Sequence, residues 1–466
     1  MRNRSMLLIV FAILALAGSK PAGAQTDTIS INWAATVGKT TVLDFGSNDQ
    51  FAGAPEASSE DPRFSERMAQ MGMKNLSIQL ALEQLSTTDA WDETRIARIL
   101  NAPYVKQCGD ANLKLMITGV PKSCRTSDGQ INVPKYAALC AQLVKIVNGK
   151  MKRHVRYWIC ADEPNEWKDF HDPQQWPQLY AMYNACAIAM KSAVPGTPIK
   201  MIAGALSWPN RSLVRGILRN CWPNLDGFQW HAFFTGADNT NGDQGIYDKV
   251  MRDIPAICDA QTANVIAEVN ACIKDGYPKK PIILANGSMN IPADWTLRGW
   301  DQNGYHGACF FAAALKHQIS DFSKWPYPSI IESWSVKDNG VYGLISKGDT
   351  LTLPGYVYAW CNHHLIGTLA AVRTTSAPAS NPDCDALAVY DLNDPAGKHN
   401  ILLYNMAVTP RDVNLEFLHL PYAAPFTAQM ETINAHGYSG PAPLKIAAKR
   451  TRLTLQPFTS CLIRLP

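Results

Sequence analysis

Short apolar runs alternate with longer amphipathic ones between about residues 40 and 365. The short runs are rich in aliphatic and β-branched residues, as strands are, whereas the longer runs repeat their apolar positions at helical spacing. Strand-like runs occur at residues 41–46, 76–80, 113–120, 155–163, 199–206, 227–233, 281–286 and 329–334, and helix-like runs include 133–148, 177–193, 307–319 and 355–364. Eight strands that alternate with helices predict an α/β fold, a closed (β/α)8 TIM barrel. The main rival is an open doubly wound sheet, but no GxGxxG follows the first strand.

The pattern changes after about residue 366. Residues 374–383 are rich in Ser, Pro and Thr, and short alternating runs follow at 386–390, 401–404, 413–417, 426–432 and 453–465. Such runs predict a small C-terminal antiparallel β-sandwich, to which residues 28–32 could add a strand. The predicted division is a signal peptide at 1–24, an N-terminal strand segment at 25–39, the barrel at 40–365 and the β-sandwich at 366–466.

The first residues have the zones of a secretory signal peptide. Arg2 and Arg4 precede the apolar run 6–17, and small residues at 22–24 predict cleavage before Gln25. An exported protein, periplasmic or secreted, is therefore expected. The apolar run is short for a membrane span, and no later segment offers about 20 uninterrupted apolar residues, so no stable membrane insertion is expected.

The net charge and the cysteine and histidine content bear on nucleic-acid binding, disulfides and metal sites. The net charge of +4 falls to +1 without the three basic residues of the signal peptide, which gives no support for nucleic-acid binding. The twelve cysteines show no paired CxxC, and Cys384 with Cys461 is the favoured disulfide because no other cysteine lies in the last hundred residues. His363 and His364 have no third ligand at a recognisable spacing, so neither a metal nor another cofactor is predicted.

The fourth strand-like run ends abruptly in Asp162-Glu163-Pro164-Asn165. In parallel α/β folds the ligands bind where the strands end, so Glu163 is the first candidate for a catalytic residue. Four aromatic residues stand near the ends of strands five, six and eight, where flat rings can stack on sugars: Trp208, Trp230, His231 and Trp334. Each of them singly could instead belong to the core.

These motifs, with the run 226–231 (Asp-Gly-Phe-Gln-Trp-His) at the sixth strand, resemble those of the retaining glycoside hydrolases that have a (β/α)8 barrel. The chain is most similar to family 39, which includes β-xylosidases, α-iduronidases and bacterial enzymes that cut exopolysaccharides. The resemblance covers nearly the whole mature chain and implies an oligo- or polysaccharide as the partner. It implies Glu163 as the general acid/base, with Asn165 among the substrate-binding residues.

The same resemblance implies a second carboxylate, about 5 to 5.5 Å from the first, as the nucleophile at the end of the seventh strand. That position aligns with Asn286, which cannot form a glycosyl ester. Two further departures from the family accompany it. Asp162 stands where the family has an asparagine before the acid/base, and Phe233 stands where it has a tyrosine two residues after the sixth-strand histidine. We therefore expect Glu163 and Asn286 to face each other across the cleft, with His231 and Trp334 beside them.

Two other glutamates could replace the nucleophile. Glu268 would do so if the strand count were wrong, although its neighbours repeat at helical spacing and end at Gly276. Glu332 lies two residues before Trp334 and thus on the same strand face, but deeper in the barrel.

Three hypotheses follow for the function. In the first, the protein hydrolyses glycosidic bonds with Glu163 as the acid, and the second function comes either from a water molecule, with inversion, or from the substrate itself. The latter is the substrate-assisted cleavage of N-acetylhexosaminides, with Asp162 and Glu163 as the paired carboxyl groups. Alternatively, it binds a polysaccharide without cleaving it. The least favoured hypothesis is a structural role without sugar, because the aromatic and carboxylate residues would then be unexplained.

Overall fold

The computed structural model describes residues 26–49, 62–82, 86–87, 90–234, 242–291, 302–337, 343–375, 383–390 and 398–466. The predicted signal peptide lies outside these ranges, as does most of the predicted linker at 374–383.

Eight parallel strands pair around a closed ring. In chain order, barrel strands one to eight are Gly46–Asp49, Leu76–Ala81, Leu113–Thr118, Tyr157–Ile159, Lys200–Leu206, Gly227–Phe233, Ile283–Asn290 and Ser329–Trp334. The ring closes where strand eight pairs with strand one, with Glu332 opposite Gly46. This arrangement confirms the predicted (β/α)8 barrel.

Helices surround the barrel. The α-helices of the described residues are Pro62–Gln70, Glu93–Asn101, Pro103–Cys108, Val133–Val144, Trp176–Ser192, Arg211–Cys221, Gly242–Ile246, Ile254–Lys274, Tyr305–Phe322 and Leu353–His364, with π-helical turns at Lys145–Lys150 and Tyr247–Met251. All four helix-like runs of the sequence lie on these helices. Shorter 3-10 turns occur at Val42–Asp44, Asp110–Asn112, Lys122–Cys124, Pro164–Glu166 and Pro173–Gln175, and a small strand pair joins Ser86–Thr87 to Ala90–Trp91.

The second domain is a mostly antiparallel nine-stranded sheet with its own apolar core. Its strand order is Gly437–Ile446, Phe426–Asn434, Thr459–Arg464, His399–Asn405, Cys384–Tyr390, Gly367–Thr375, Thr26–Thr40, Arg411–Leu418 and Arg450–Leu455. The sequence analysis did not predict the strands Gly437–Ile446 and Gly367–Thr375. The barrel with an added β-sandwich domain is confirmed, and Thr26–Thr40 joins the sandwich through one antiparallel and one parallel neighbour.

Two of the predicted runs do not form single strands. The run 41–46 is a capped 3-10 turn, because the side chain of Asp44 accepts a hydrogen bond from the backbone N–H of Thr41 at 2.8 Å. Barrel strand one therefore begins only at Gly46. The run 453–465 is two strands, since a turn at 456–458 with Phe458 at φ 47° reverses the chain.

The predicted disulfide between Cys384 and Cys461 is wrong. Both are buried free thiols, and the strand His399–Asn405 lies between theirs in the sheet. Two strand spacings separate Cα atoms by about 10 Å, whereas a disulfide requires less than about 7 Å. All twelve cysteines of the chain are buried.

Candidate active site

The barrel interior holds both apolar and polar side chains. Its apolar cluster consists of Met116, Tyr157, Ile159, Ile202, Ala205, Ile283, Ala285 and Ile330. A layer of buried polar side chains lies beside this cluster, since Nε2 of Gln229 is 3.7 Å from the sulfur of Met116. In it, Lys114 contacts both Gln229 and Glu332, and Ser77 donates to Glu332 at 2.8 Å. The candidate catalytic residues lie above this layer, at the end where the strands finish.

Glu163 follows strand four in a conformation that ordinary strand residues do not adopt. Its backbone is left-handed, with φ 45° and ψ 47°, and its N–H donates to the carbonyl of Ala205 at 2.9 Å. A non-glycine residue held there costs about 1–3 kcal/mol, and such residues concentrate at functional sites. The strand itself ends earlier than predicted, at Ile159, and the side chain of Glu163 lies against His231 of strand six.

Neighbouring side chains fix the loop that carries Glu163. Asn165 accepts from the N–H of Ser207 at 3.1 Å and donates to its hydroxyl at 2.6 Å, while Glu166 accepts from the same hydroxyl. Asn165 thus joins the ends of strands four and five. The structure gives it a positioning role, in addition to the substrate contact that was predicted for it.

His231 connects the two carboxyl groups of the site. Its Nδ1 lies 2.7 Å from Oε1 of Glu163, and its Nε2 lies 3.7 Å from Oδ1 of Asp162. The Nε2 of Gln229 faces Nε2 of His231 at 3.3 Å, because Oε1 of Gln229 accepts from Lys114. In the neutral ring, Gln229 therefore donates to Nε2 and leaves the proton on Nδ1, where it is donated to Glu163.

Asp162 lies behind this pair and is nearly buried. Its Oδ2 accepts from Nε2 of Gln79 at 2.9 Å, while its Oδ1 has no hydrogen bond with any described residue. Burial raises the pKa of Asp162 to about 7, although the positive charges of His231 and Lys114 oppose this shift.

The pKa values of the two carboxyl groups move in opposite directions. Burial raises the pKa of Glu163, but the hydrogen bond and charge of His231 outweigh it, so the net pKa is lowered. The pKa of His231 is lowered by burial and raised more strongly by its bond to Glu163 and by both carboxylates, so it is raised overall. Asp162 therefore retains a proton in a pH range where Glu163 is ionised.

The predicted position of Asn286 is wrong. Asn286 lies on strand seven, but its Nδ2 donates at 3.0 Å to Oε1 of Gln318 on the outer helix Tyr305–Phe322. Gln318 in turn donates to Thr262 on the helix Ile254–Lys274. The side chain of Asn286 therefore points away from the cleft, because Ala285 before it faces the barrel interior.

Ser288, and not Asn286, lies on the interior face of strand seven beside His231. An irregularity between residues 286 and 288 places Ser288 in register with His231, and residues in register share a strand face. Gly287 has no room for a side chain, since a Cβ there would lie 2.1 Å from Cδ of Gln229. Sequence reasoning missed Ser288 because the irregularity shifts the alternation of the strand by one residue.

The aromatic residues divide between the cleft and the core. Phe233 contacts Trp334 at 5.9 Å and His231 at 6.3 Å between ring centroids, so these rings form one wall of the cleft. Trp230 is 0% exposed and packs on Phe322 of the outer helix, so the prediction of a sugar contact there is wrong. Trp230 precedes His231 and must face the opposite side of strand six.

Trp208 is 50% exposed and lies outside this wall. It lines a groove between the loop after strand five and the helix Ile254–Lys274, together with Asp253, Gln261 and Asn264. The loop is joined through Ser207 to the one that carries Glu163. Trp208 is thus placed at the rim of the site and not at its centre.

The other sequence candidates have structural roles. Glu268 lies on an outer helix and accepts from Arg211 at 2.7 Å and from Arg215 at 2.8 Å. Glu332 is held beneath the cleft by Ser77 and Lys114, as its predicted depth required. His363 contacts the carbonyl of Gln70 at 2.9 Å.

Searches with the sequence matched neither a protein-family model nor a curated protein. Solved structures do match. A family 51 α-L-arabinofuranosidase from Bifidobacterium longum gives a TM-score of 0.68 at 14% identity, over 94% of this chain and 99% of that one. The GH51 arabinofuranosidase from Xanthomonas axonopodis pv. citri gives 0.68 at 11%, over 95% and 100%.

A family 44 xyloglucanase from Paenibacillus polymyxa matches with a TM-score of 0.58 at 12% identity, over 95% of this chain and all of that one. The chain shares the fold of these structures, a (β/α)8 barrel with a β-sandwich domain. Its described residues contain no group of three or more His, Cys, Asp or Glu side chains placed to hold a metal. No described helix combines the length and apolar character that crossing a membrane requires.

Proposed function

We propose that the protein is exported and acts on the glycosidic bonds of an oligo- or polysaccharide, with Glu163 as the general acid/base. The observation that carries this proposal is the 2.7 Å hydrogen bond from His231 to Glu163 at the carboxyl end of the barrel. The side chain of Glu163 is 36% exposed, so a substrate in the cleft can reach it.

The walls of the site support a carbohydrate as the substrate. Phe233 and Trp334 offer apolar ring surface beside Glu163, and Trp208 extends this surface at the rim. The matched structures are named for arabinofuranosidase and xyloglucanase activities, so pentose- and glucose-containing glycans are the first to test. Kinship with family 39 is part of the proposal and rests on the sequence motifs at 162–165 and 226–231.

The second catalytic group is not a conventional nucleophile in this proposal. Among the described residues of strand seven, those in register with the inward-facing His231 and Phe233 are Ser288 and Asn290, and neither carries a carboxylate. A water molecule would then attack the sugar, which inverts the anomeric carbon. The lack of a carboxylate equally supports the alternative of a polysaccharide-binding protein without catalysis.

Asp162 supports a second candidate function, the substrate-assisted cleavage of N-acetylhexosaminides. In that mechanism a carboxylate orients the 2-acetamido group beside the acid. The Oδ1 of Asp162 has no hydrogen bond with a described residue and lies next to His231, so it is available for such a contact.

A glycan array followed by cleavage assays with the Glu163→Gln variant tests the proposal. We expect turnover to fall by about 10² to 10⁴ because the proton-transfer group is lost, while glycan binding stays within a few fold. Glu93→Gln, on an outer helix, is the matched control. Unchanged turnover in Glu163→Gln would remove Glu163 from the mechanism.

The same assays separate the alternatives. Binding without cleavage by the wild-type protein favours the polysaccharide-binding function. Cleavage of N-acetylhexosaminides that Asp162→Asn abolishes favours the substrate-assisted mechanism.

A further inference from the structure

The contacts of Glu163 suit a proton acceptor. The Nδ1–H of His231 points at its Oε1 from 2.7 Å, and this tautomer is fixed by Gln229, which Lys114 fixes in turn. A hydrogen bond donated to a carboxylate stabilises its ionised form. In the resting protein, Glu163 is therefore prepared to take up a proton and poorly prepared to give one.

The opposite wall suits a departing group. Strand seven lies three strands from strand four around the eight-stranded ring, so Ser288 faces Glu163 across the barrel mouth. Ser288 supplies a hydroxyl that can donate a hydrogen bond, where a retaining hydrolase would have a carboxylate anion. A carboxylate anion close to Glu163 would also disfavour its ionisation, and the described part of strand seven supplies none.

We propose that the site forms glycosidic bonds, by transferring a sugar with an anionic leaving group at its anomeric carbon to a hydroxyl group of an acceptor sugar. This inference rests on the proposed carbohydrate function and changes the reaction class of the same site. The donor class is a glycosyl phosphate or another sugar activated in the same way.

Glu163 and Ser288 supply the two groups that the transfer requires, a proton acceptor and a hydrogen-bond donor to the leaving group. The acceptor oxygen attacks the anomeric carbon as its proton moves to the carboxylate of Glu163. The bond from the anomeric carbon to the leaving group breaks, and that group departs as an anion with the bonding electrons, hydrogen-bonded by Ser288. The configuration of the anomeric carbon is inverted, because bond formation and bond breaking occur on opposite faces.

The aromatic wall favours transfer over hydrolysis. Phe233 and Trp334 lie at right angles beside His231 and present apolar surface to the position of the acceptor. A sugar ring stacked on this surface displaces water from the face of attack. An acceptor sugar therefore competes effectively with water for the donor.

Glycosyl fluorides test the proposal, since fluoride is a small anionic leaving group and its release is easily measured. The full mature protein would be incubated with α- and β-fluorides of xylose, arabinose and glucose, with and without aryl glycoside acceptors. We expect fluoride release that acceptors accelerate, and a disaccharide product by mass spectrometry. Glu163→Gln should lose at least about 10²-fold in rate.

Ser288→Ala provides the second variant, and we expect its rate of fluoride release to fall about tenfold because the leaving anion loses one hydrogen bond. Its matched control is Ser333→Ala, on strand eight, where the hydroxyl contacts Ser47 and not the site. Equal fluoride release by Glu163→Gln and the wild-type protein would overturn the inference, as would release no faster than the uncatalysed rate from every donor.

Failure of the inference can be told apart from failure of the proposed function. Glycan cleavage that depends on Glu163, without transfer from any fluoride, would leave the proposed function intact and refute transfer. A protein that neither binds glycans nor consumes a fluoride would refute both.

Discussion

The Nδ1 of His231 lies 2.7 Å from Oε1 of Glu163 and donates a hydrogen bond to that carboxylate. The bond lowers the pKa of Glu163 against the opposing effect of burial. Because the ionised form is favoured, the acidic limb of the pH–rate profile should lie below the ordinary range of a glutamate, about 4.3.

Replacement of His231 by Asn should move this limb to higher pH, since the hydrogen bond and the positive charge that lower the pKa of Glu163 are both lost. The pH dependence of kcat/KM measures it, because that profile reports the ionisations of the free enzyme. His171→Asn, at an exposed residue in the next loop, should leave the limb unchanged. An unmoved limb in His231→Asn would show that another group sets it.

Asp162 should make the protein less stable as the pH rises. Its pKa is about 7 in the folded state and 3.8 in the reference state, so the folded state holds a proton that the unfolded chain has lost between these values. The free energy of unfolding should therefore fall from about pH 4 to pH 7, by at most about 4 kcal/mol, and then level off. Urea unfolding as a function of pH measures this dependence.

Asp162→Asn should flatten this dependence and raise stability above pH 7, since an amide keeps the bond to Gln79 without an ionisation. Asp248→Asn, on the outer surface, serves as the control. A variant whose pH dependence equals that of the wild-type protein would contradict the raised pKa.

A glutamate at residue 288 should restore a nucleophile, and one at residue 286 should not. Ser288→Glu places a carboxylate on the interior face, so we expect retaining turnover of an activated aryl β-glycoside. Asn286→Glu buries a charge between strand seven and the outer helix, so we expect a loss of about 3–5 kcal/mol in stability and no new activity. Recovery by Asn286→Glu alone would reverse the assignment of the two faces.

Replacement by alanine should lower stability at Trp230 and weaken oligosaccharide binding at Trp208. Trp230→Ala removes a fully buried ring and should cost about 3–5 kcal/mol. Trp208→Ala should change stability by less than about 1 kcal/mol, because Trp208 is 50% exposed. It should weaken the binding of long oligosaccharides about tenfold while leaving small aryl glycosides unaffected; calorimetry and thermal unfolding measure both effects.

Lys114 and Glu332 form an ion pair that is buried inside the barrel. Lys114→Met leaves the carboxylate of Glu332 without its cation and should cost about 3–5 kcal/mol. The double variant Lys114→Met with Glu332→Gln should recover part of this loss. Denaturant unfolding of both variants gives the comparison, and equal stability of the single and double variants would exclude the pair as the cause.

Much of the barrel could be predicted from the chain, because most of its strands contain short apolar runs that are buried on both sides. Strands six and eight were placed at their observed bounds, Gly227–Phe233 and Ser329–Trp334. The strand Gly437–Ile446 was missed because most of its residues are exposed and its sequence contains Gly440, Pro441 and Pro443. Lys114, the one charged residue of the strand Leu113–Thr118, was a signal of the buried polar layer that sequence reasoning did not use.

By itself, the sequence determined the alternation of strands and helices and the place of Glu163 at the end of strand four. Those features depend on local patterns of apolar residues and on the abrupt polar turn after them. Only the tertiary structure decided which side chains of strand seven face the cleft. One irregularity at residues 286–288 turns Asn286 toward the helices and Ser288 toward His231, and this depends on pairing with a strand more than fifty residues away.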